Sequence, residues 1–295
     1  MATKLLLITN SDAGTADQEA VDAALAVLRE RTEVEVRGTS SPEELDDVLA
    51  GAGERTVVVA GGDGSIHAVV QALHTRGELA GRTLALIPLG TGNDFARTLG
   101  LPLDAAEAAQ VVVDGTARPT DLVVDEDGQV TVNSVHLGAG AEAGKAGARW
   151  KERLGKVGYP IGALQTALNP PTLRLRVEVD DEVVADLDQR VLMVAVGNGA
   201  SVGGGTELTP DAEPHDGLVD VLVATPVKPL AKLGYALRLP FARHGEHDDV
   251  VIVRGSTVRV AGTPFDCNSD GEIEGPVSAR TWRVLPAAYT MIVPR

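Results

Sequence analysis

Thr56-Val57-Val58-Val59-Ala60-Gly61-Gly62-Asp63-Gly64-Ser65-Ile66-His67 is the stretch on which the reading of this chain turns. Residues 56–60 form a short, unbroken apolar and β-branched run, the pattern of a strand buried on both faces of a parallel sheet. The glycines that follow allow φ > 0 and remove every Cβ that would hold a ligand off the backbone. Ile66, Val69 and Val70 then open a helix-spaced pattern. Such a turn presents backbone N–H groups at a helix N-terminus, where geometry and dipole both favour phosphate. Asp63 is the odd member, because a carboxylate beside phosphate repels it unless a cation lies between, and this points to Mg²⁺ with a nucleotide. A tight turn with Asp63 or Ser65 as helix cap accounts for the same residues, so the neighbouring segments have to decide.

Residues 4–9 read as a first strand, 16–31 as an Ala/Leu/Glu-rich helix and 33–37 as a second strand. Asn10-Ser11-Asp12-Ala13-Gly14 forms the first strand-to-helix loop, and Thr39-Ser40-Ser41-Pro42 caps a second helix. This β-α-β-α-β order predicts a doubly wound parallel sheet with ligands outside the strand C-termini, where these loops fall. Residues 83–88 supply a fourth strand, followed by a second glycine-rich turn, Gly90-Thr91-Gly92-Asn93-Asp94-Phe95-Ala96-Arg97. Asn93 or Asp94 can cap the helix that Phe95 begins, whereas Thr91 is freer to be a ligand. Asp121 interrupts a strand-like run over 118–124, so it is either solvated at an edge or aimed into a cleft.

From about residue 123 the pattern changes to short alternating segments bounded by turns, which predicts an antiparallel β domain. The fold class expected is α/β plus β: an N-terminal nucleotide-binding domain over 1–123 and a sandwich-like β domain over 124–285. Residues 286–295 are placed to return to the first. Within the β domain, Gly203-Gly204-Gly205 leads to Pro210-Asp211-Ala212-Glu213-Pro214-His215-Asp216-Gly217-Leu218-Val219-Asp220, which suits a hard-cation site or a solvated acidic turn. Asp270 and Glu272 flank one glycine near the C-terminus, the pattern of a hairpin turn.

A length of 295 residues with 44% hydrophobic content provides a core for each of two domains. A net charge of −16 argues against a nucleic-acid partner, and one cysteine with six scattered histidines argues against structural zinc. Cys267 reads as a packed small residue. No apolar run approaches the roughly 20 residues of a membrane span, so a cytoplasmic protein is expected. Cations are nevertheless segregated. Lys145, Arg149, Lys151, Arg153 and Lys156 lie close to Trp150 and Tyr159 in an expected helix over 143–168, and Lys228, Lys232, Arg238 and Arg243 lie in an acid-free stretch over 226–245. Either these are solvated helix faces, or they dock the protein peripherally on an anionic bilayer during turnover. The sequence sets no oligomeric state, and a homodimer is compatible with it.

In this order, the glycine loop, the Gly90 to Arg97 block, the Gly-Gly-Gly to Asp-Gly-x-x-Asp run ending at Asp220 and Asp270-Gly271-Glu272 resemble the diacylglycerol kinase catalytic-domain family. The resemblance spans nearly the whole chain and includes, more distantly, sphingosine and ceramide kinases. It implies ATP as phosphoryl donor, Mg²⁺, a lipid substrate at a membrane surface, and an active site in the cleft between the two domains. Nucleotide-binding positions would fall on Asn10, Ser11, Asp12, Ala13, Gly14, Thr39, Gly61, Gly62, Asp63, Gly64, Ser65 and Thr91, with Asn93 and Asp94 beside them. Essential carboxylates would be Asp63, Asp121, Asp270 and Glu272, with a structural Mg²⁺ at Asp216 and the backbone oxygens of Glu213 and Leu218. The first loop departs from the family's Asn-Pro-x-Ser/Thr-Gly at Ser11 and Ala13, and Ser65 stands where threonine is commoner.

A lipid hydroxyl needs a carboxylate to take its proton while Mg²⁺ and the glycine amides hold the γ-phosphoryl group. Asp270 and Glu272, two apart on an extended segment, would point the same way and divide the roles of base and base-orienter, with Asp63 and Asp121 at the magnesium end. The rivals are an NAD kinase of the same superfamily, a sphingosine- or ceramide-type kinase, and a catalytically silent lipid-binding module.

Overall fold

The structure, a computed structural model, describes residues 4–11, 15–138, 141, 172–225, 231, 235, 238, 242 and 244–295. In its first half β1 (Leu5–Asn10), α1 (Thr15–Arg31), β2 (Val34–Thr39), α2 (Pro42–Ala50), β3 (Thr56–Gly61), α3 (Asp63–Thr75), β4 (Thr83–Pro88), α4 (Asp94–Thr98) and α5 (Ala105–Asp114) follow in turn. The four strands run parallel in the order β4-β3-β1-β2. Their unbroken apolar runs have a simple cause. Leu6, Ile8, Val57, Val59, Leu84 and Leu86 face α2 and α3, while Leu5, Leu7, Val58, Ala60, Ala85 and Ile87 face α1 and α5. Both faces are therefore core. Helix α2 starts as expected, with Pro42 in its first turn and the Ser41 side chain accepting from the Glu44 N–H, while the Glu44 carboxylate accepts from Ser40.

The second half contains β5 (Thr116–Asp125), β6 (Val130–Thr131), β7 (Ser134–Gly138), β8 (Leu175–Val179), β9 (Glu182–Ala185) and β10 (Met193–Gly197). After a short pair, β11 (Ser201–Val202) and β12 (Thr206–Glu207), come β13 (Val219–Ala224), β14 (Val250–Gly255), β15 (Thr257–Ser269) and β16 (Glu272–Val293). These strands pair antiparallel, as their alternation predicts, around a core that includes Val135, Leu137, Val194, Val221, Val260 and Trp282. Cys267 is buried in that core, and burial pushes its thiol up to about 12.

The two halves are not separate sheets. The path β14-β13-β10-β7-β15-β16-β4-β3-β1-β2 is continuous, because β16, 22 residues long, pairs antiparallel with β15 at its start and parallel with β4 at Thr290 and Met291. Met291 and Tyr289 thereby enter the α/β core. The expected helix over 143–168, with Lys145, Arg149, Trp150, Lys151, Arg153, Lys156 and Tyr159, lies outside the described residues. So do Asp12, Ala13 and Gly14 and most of the basic stretch over 226–245, including Lys228, Lys232 and Arg243.

Candidate active site

The C-terminal ends of β1, β2, β3 and β4 form one edge, which gathers Asn10, Ser11, Thr39, the Gly61 to Ser65 turn and the turn after Pro88. Thr39 pairs with Asn10 in register, and its carbonyl accepts from the Ser11 N–H at 3.0 Å. Helix α3 begins after Gly62 with no side chain capping it. The Ser65 N–H turns back to the Gly62 carbonyl at 3.0 Å, which leaves the Asp63 and Gly64 amides for an outside acceptor, the arrangement that binds phosphate.

The glycines serve close approach rather than left-handed backbone. None of Gly61, Gly62 and Gly64 has positive φ. A Cβ on Gly62 would stand 2.9 Å from the Gly90 Cα, one on Gly90 would stand 2.7 Å from the Gly62 Cα, and one on Gly61 would collide with the Ser65 side chain. The two glycine turns are therefore packed backbone to backbone. Their side chains complete the joint. Asp63 Oδ2 and Oδ1 accept from the N–H groups of Asp94 and Phe95 at 3.1 and 3.0 Å, so Asp63 caps α4 and not its own helix. Asn93, at φ +53°, closes its own loop: its Oδ1 accepts from Gly90 N–H at 2.9 Å and its Nδ2 donates to the Gly90 carbonyl at 2.7 Å. Asp94 is buried and crosses to the β half, where its carboxylate accepts from the N–H groups of Gly204 and Gly205 at 2.8 to 3.0 Å. Gly204 and Gly205 have φ of +91° and +107°, the left-handed region that glycine favours. Asn93 and Asp94, expected beside the nucleotide, thus have their side chains engaged by protein, whereas Thr91 is exposed.

Asp270 corrects a second expectation. It and Glu272 do not share an extended segment, because Asp270 (φ +50°) and Gly271 (φ +100°) make the turn between β15 and β16 and separate their side chains. The Asp270 carboxylate is buried in the β6 to β7 connection. There Oδ1 accepts from Asn133 and Ser134 N–H at 3.0 and 2.9 Å, and Oδ2 accepts from Val132 N–H at 2.6 Å. Oδ2 also lies 3.0 Å from His67 Nδ1 on α3. Glu272, with a side chain 71% exposed, lies 4.0 Å from His67 Nε2. Sequence reasoning passed over His67. The signal was its place four residues after Asp63, which puts both on one face of α3. Burial opposes the imidazolium, but the hydrogen bond and charge of Asp270, with Glu272 and Glu274 beyond, outweigh it and hold the His67 pKa above its ordinary value.

Asp121 lies elsewhere. Buried, it accepts from Gly217 N–H at 2.7 Å and Ala287 N–H at 2.8 Å, which makes it a tie between β5, the 213–218 loop and β16, not a partner of Asp63. The expected structural cation in that loop also meets an obstacle. One oxygen of Asp216 accepts from Leu218 N–H at 3.0 Å, the other is ion-paired with Arg254, and the Glu213 carbonyl already accepts from His215 N–H at 2.8 Å. Arg254 Nε also lies 3.4 Å from buried Asp220. A guanidinium thus pairs with the carboxylate on which that cation was expected. Asp63 is the other carboxylate expected to hold a cation. Burial first, then the charges of Asp94 and Asp270, push its pKa up against the lowering effect of the Phe95 and Asp94 N–H groups. A Cβ on Gly92 would lie 2.9 Å from Asp63 Oδ2 and 3.2 Å from Asp94 Oδ2, so the two carboxylates border this glycine and no side chain can stand there.

Comparison with known proteins matches residues 4–124 to the diacylglycerol kinase catalytic domain and residues 133–293 to the YegS C-terminal NAD kinase beta sandwich-like domain. The Pseudomonas aeruginosa (PAO1) protein named probable lipid kinase YegS-like is 34% identical over 240 residues, 79% of this chain and 75% of its own. This chain belongs to the diacylglycerol kinase-like lipid kinases, phosphotransferases with an alcohol acceptor. A Mycobacterium tuberculosis (H37Rv) diacylglycerol kinase is 32% identical over 246 residues, covering 80% of this lipid kinase and 75% of itself. A crystal structure of a diacylglycerol kinase from Bacillus anthracis str. Sterne shares the fold at TM-score 0.75 and 24% identity, covering 98% of this chain and 96% of that one. Another crystal structure from that organism reaches TM-score 0.81 at 26% identity, with 98% and 95% covered.

Proposed function

We propose that this lipid kinase transfers the γ-phosphoryl group of ATP to the hydroxyl of diacylglycerol, or of a closely related lipid, at a membrane surface. The observation that carries the reading is the joint of the two glycine turns, where the uncapped start of α3 lies beside Asp63, with Asp270 near enough to raise the Asp63 pKa. The α3 amides would seat phosphates, and Asn10, Ser11, Thr39 and Thr91 along the same strand edge would contact the rest of the nucleotide. Asp63 would hold Mg²⁺, which when bound neutralises charge on the phosphates. We assign nucleotide binding to residues 1–123 with 286–295, and lipid binding to the β-rich remainder. Relatives named as lipid kinases favour a lipid acceptor over NAD.

Labelled ATP with a panel of diacylglycerol, monoacylglycerol, sphingosine, ceramide and NAD, resolved by chromatography, tests this. Label in phosphatidic acid, abolished by chelating Mg²⁺, is the expected result. Label in NAD alone would overturn it.

A further inference from the structure

We infer that His136 is a specificity-determining residue whose Nδ1–H donates to the ester carbonyl next to the reacting hydroxyl of a diacylglycerol. The inference rests on the lipid-kinase reading above and deepens it. Along β7, Val135 and Leu137 point into the β-rich core, so alternation turns His136 to the opposite face, between Ala195 on β10 and Asn268 on β15. On that face the Asn268 Oδ1 is already taken by the Gly271 N–H at 2.9 Å.

The imidazole leans back along its own strand toward the turn that carries Asp270. Its Nε2 lies 2.9 Å from Ser134 Oγ. The Ser134 backbone is in turn locked to Asp270 twice, its N–H donating to Oδ1 at 2.9 Å and its carbonyl accepting from the Asp270 N–H at 3.0 Å. His136 is thus one two-residue strand repeat, about 7 Å, from the residue that holds this carboxylate. The charges of Asp270 and of Asp94, which opens α4 in the α/β half, both reach the ring. His136 therefore stands where the two halves meet, close to the joint of the glycine turns.

The ring is partly buried, and desolvation overrides those two charges and pushes its pKa down to about 4, so it is neutral near pH 7. A neutral imidazole has one donor nitrogen and one acceptor nitrogen. With the Ser134 hydroxyl donating to Nε2, the hydrogen sits on Nδ1, and nothing among the described residues pairs with that atom. A desolvated N–H without a partner costs stability, and packing alone would be served by an aliphatic residue such as its neighbours Val135 and Leu137. An acceptor from outside the chain resolves the mismatch. Asp94 and Asp270 repel an anionic acceptor such as phosphate at this spot, which favours an uncharged one. Diacylglycerol carries such a group, an ester on the carbon beside its free hydroxymethyl.

The test compares a water-soluble short-chain 1,2-diacylglycerol with its 1,2-dialkyl ether analogue, which keeps the hydroxyl and the chains and lacks both carbonyls. The ratio of kcat/KM for the two is measured in the wild type, His136→Ala, His136→Gln and His136→Asn. The wild type should favour the diester by about tenfold or more, the worth of one hydrogen bond at a desolvated site. His136→Ala and His136→Gln should lose that preference, and His136→Asn, whose amide sits where Nδ1 does, should recover most of it, with the KM for ATP unchanged throughout. A His136→Ala protein that kept the preference, or that lost activity equally on both lipids, would overturn the proposal. Should the variants not fold, nitrogen-15 NMR of the wild type decides it: the His136 Nδ1 signal should move with the diester and stay with the diether, and equal responses would sink the idea. A wild type that phosphorylates diester and diether alike leaves the lipid-kinase reading standing and overturns this role. One that phosphorylates neither overturns that reading and this role together.

Discussion

Asp63 shows how one side chain serves two ends. It caps α4 and holds charge beside the α3 amides, so Asp63→Asn should abolish most turnover while costing only about 1 kcal/mol of stability, since one amide oxygen can still accept. Near-normal activity in steady-state assays would refute the magnesium assignment. Asp121 predicts the opposite pattern. Asp121→Ala strands the Gly217 and Ala287 N–H groups in a buried setting, and chemical denaturation should show a loss of about 1–3 kcal/mol or more, with activity falling only as far as the folded fraction falls. His67 adds a pH dependence whose sign follows from its raised pKa. The stabilisation is fully present below the unfolded value near 6.5 and is lost as pH rises through the higher folded value. Denaturation curves of the wild type should therefore decline over that window, and those of His67→Gln should not.

The two glycine turns behave as one element. Gly62 and Gly90 approach so closely that Gly90→Ala inserts a methyl where the Gly62 Cα lies 2.7 Å away, which forces the β3 to α3 and β4 to α4 turns apart. The expected result is a rise in the KM for ATP of at least about tenfold, on the order of 1.4 kcal/mol of binding, with smaller effects on lipid affinity. An unchanged KM would mean that the nucleotide does not use this joint. The start of β16 tells a parallel story. Asp270 adopts positive φ because its carboxylate is pulled into the amides of residues 132–134, and the same turn releases Glu272 toward solvent.

Strand β16 ties the molecule together. It leaves the β-rich core at Trp282 and enters the α/β core at Tyr289 and Met291, so neither half can lose it alone. Unfolding should therefore be a single transition by calorimetry. Met291→Ala, at a fully buried position, should lower the stability of that one transition by about 2–5 kcal/mol and not split it. Two resolved transitions would show that the halves melt independently. Asp94 forms a second tie, since its carboxylate links α4 to Gly204 and Gly205 across the molecule.

Much of this was legible in the chain itself. The parallel α/β half follows from unbroken apolar strands alternating with capped helices, and the antiparallel half follows from short alternating segments. Both are local periodicities that burial on two faces or one imposes directly. The clustering of loops at one strand edge follows from that topology. What only the tertiary structure decided are the partners. Asp63 and Phe95, His67 and Asp270, Asp121 and Gly217, and Asp216 and Arg254 lie 32, 203, 96 and 38 positions apart. A carboxylate in a glycine-rich turn looks the same from sequence whether it awaits a metal, caps another helix or is closed off by backbone amides. Which it does depends on what long-range packing brings within 3 Å, and no local pattern encodes that distance.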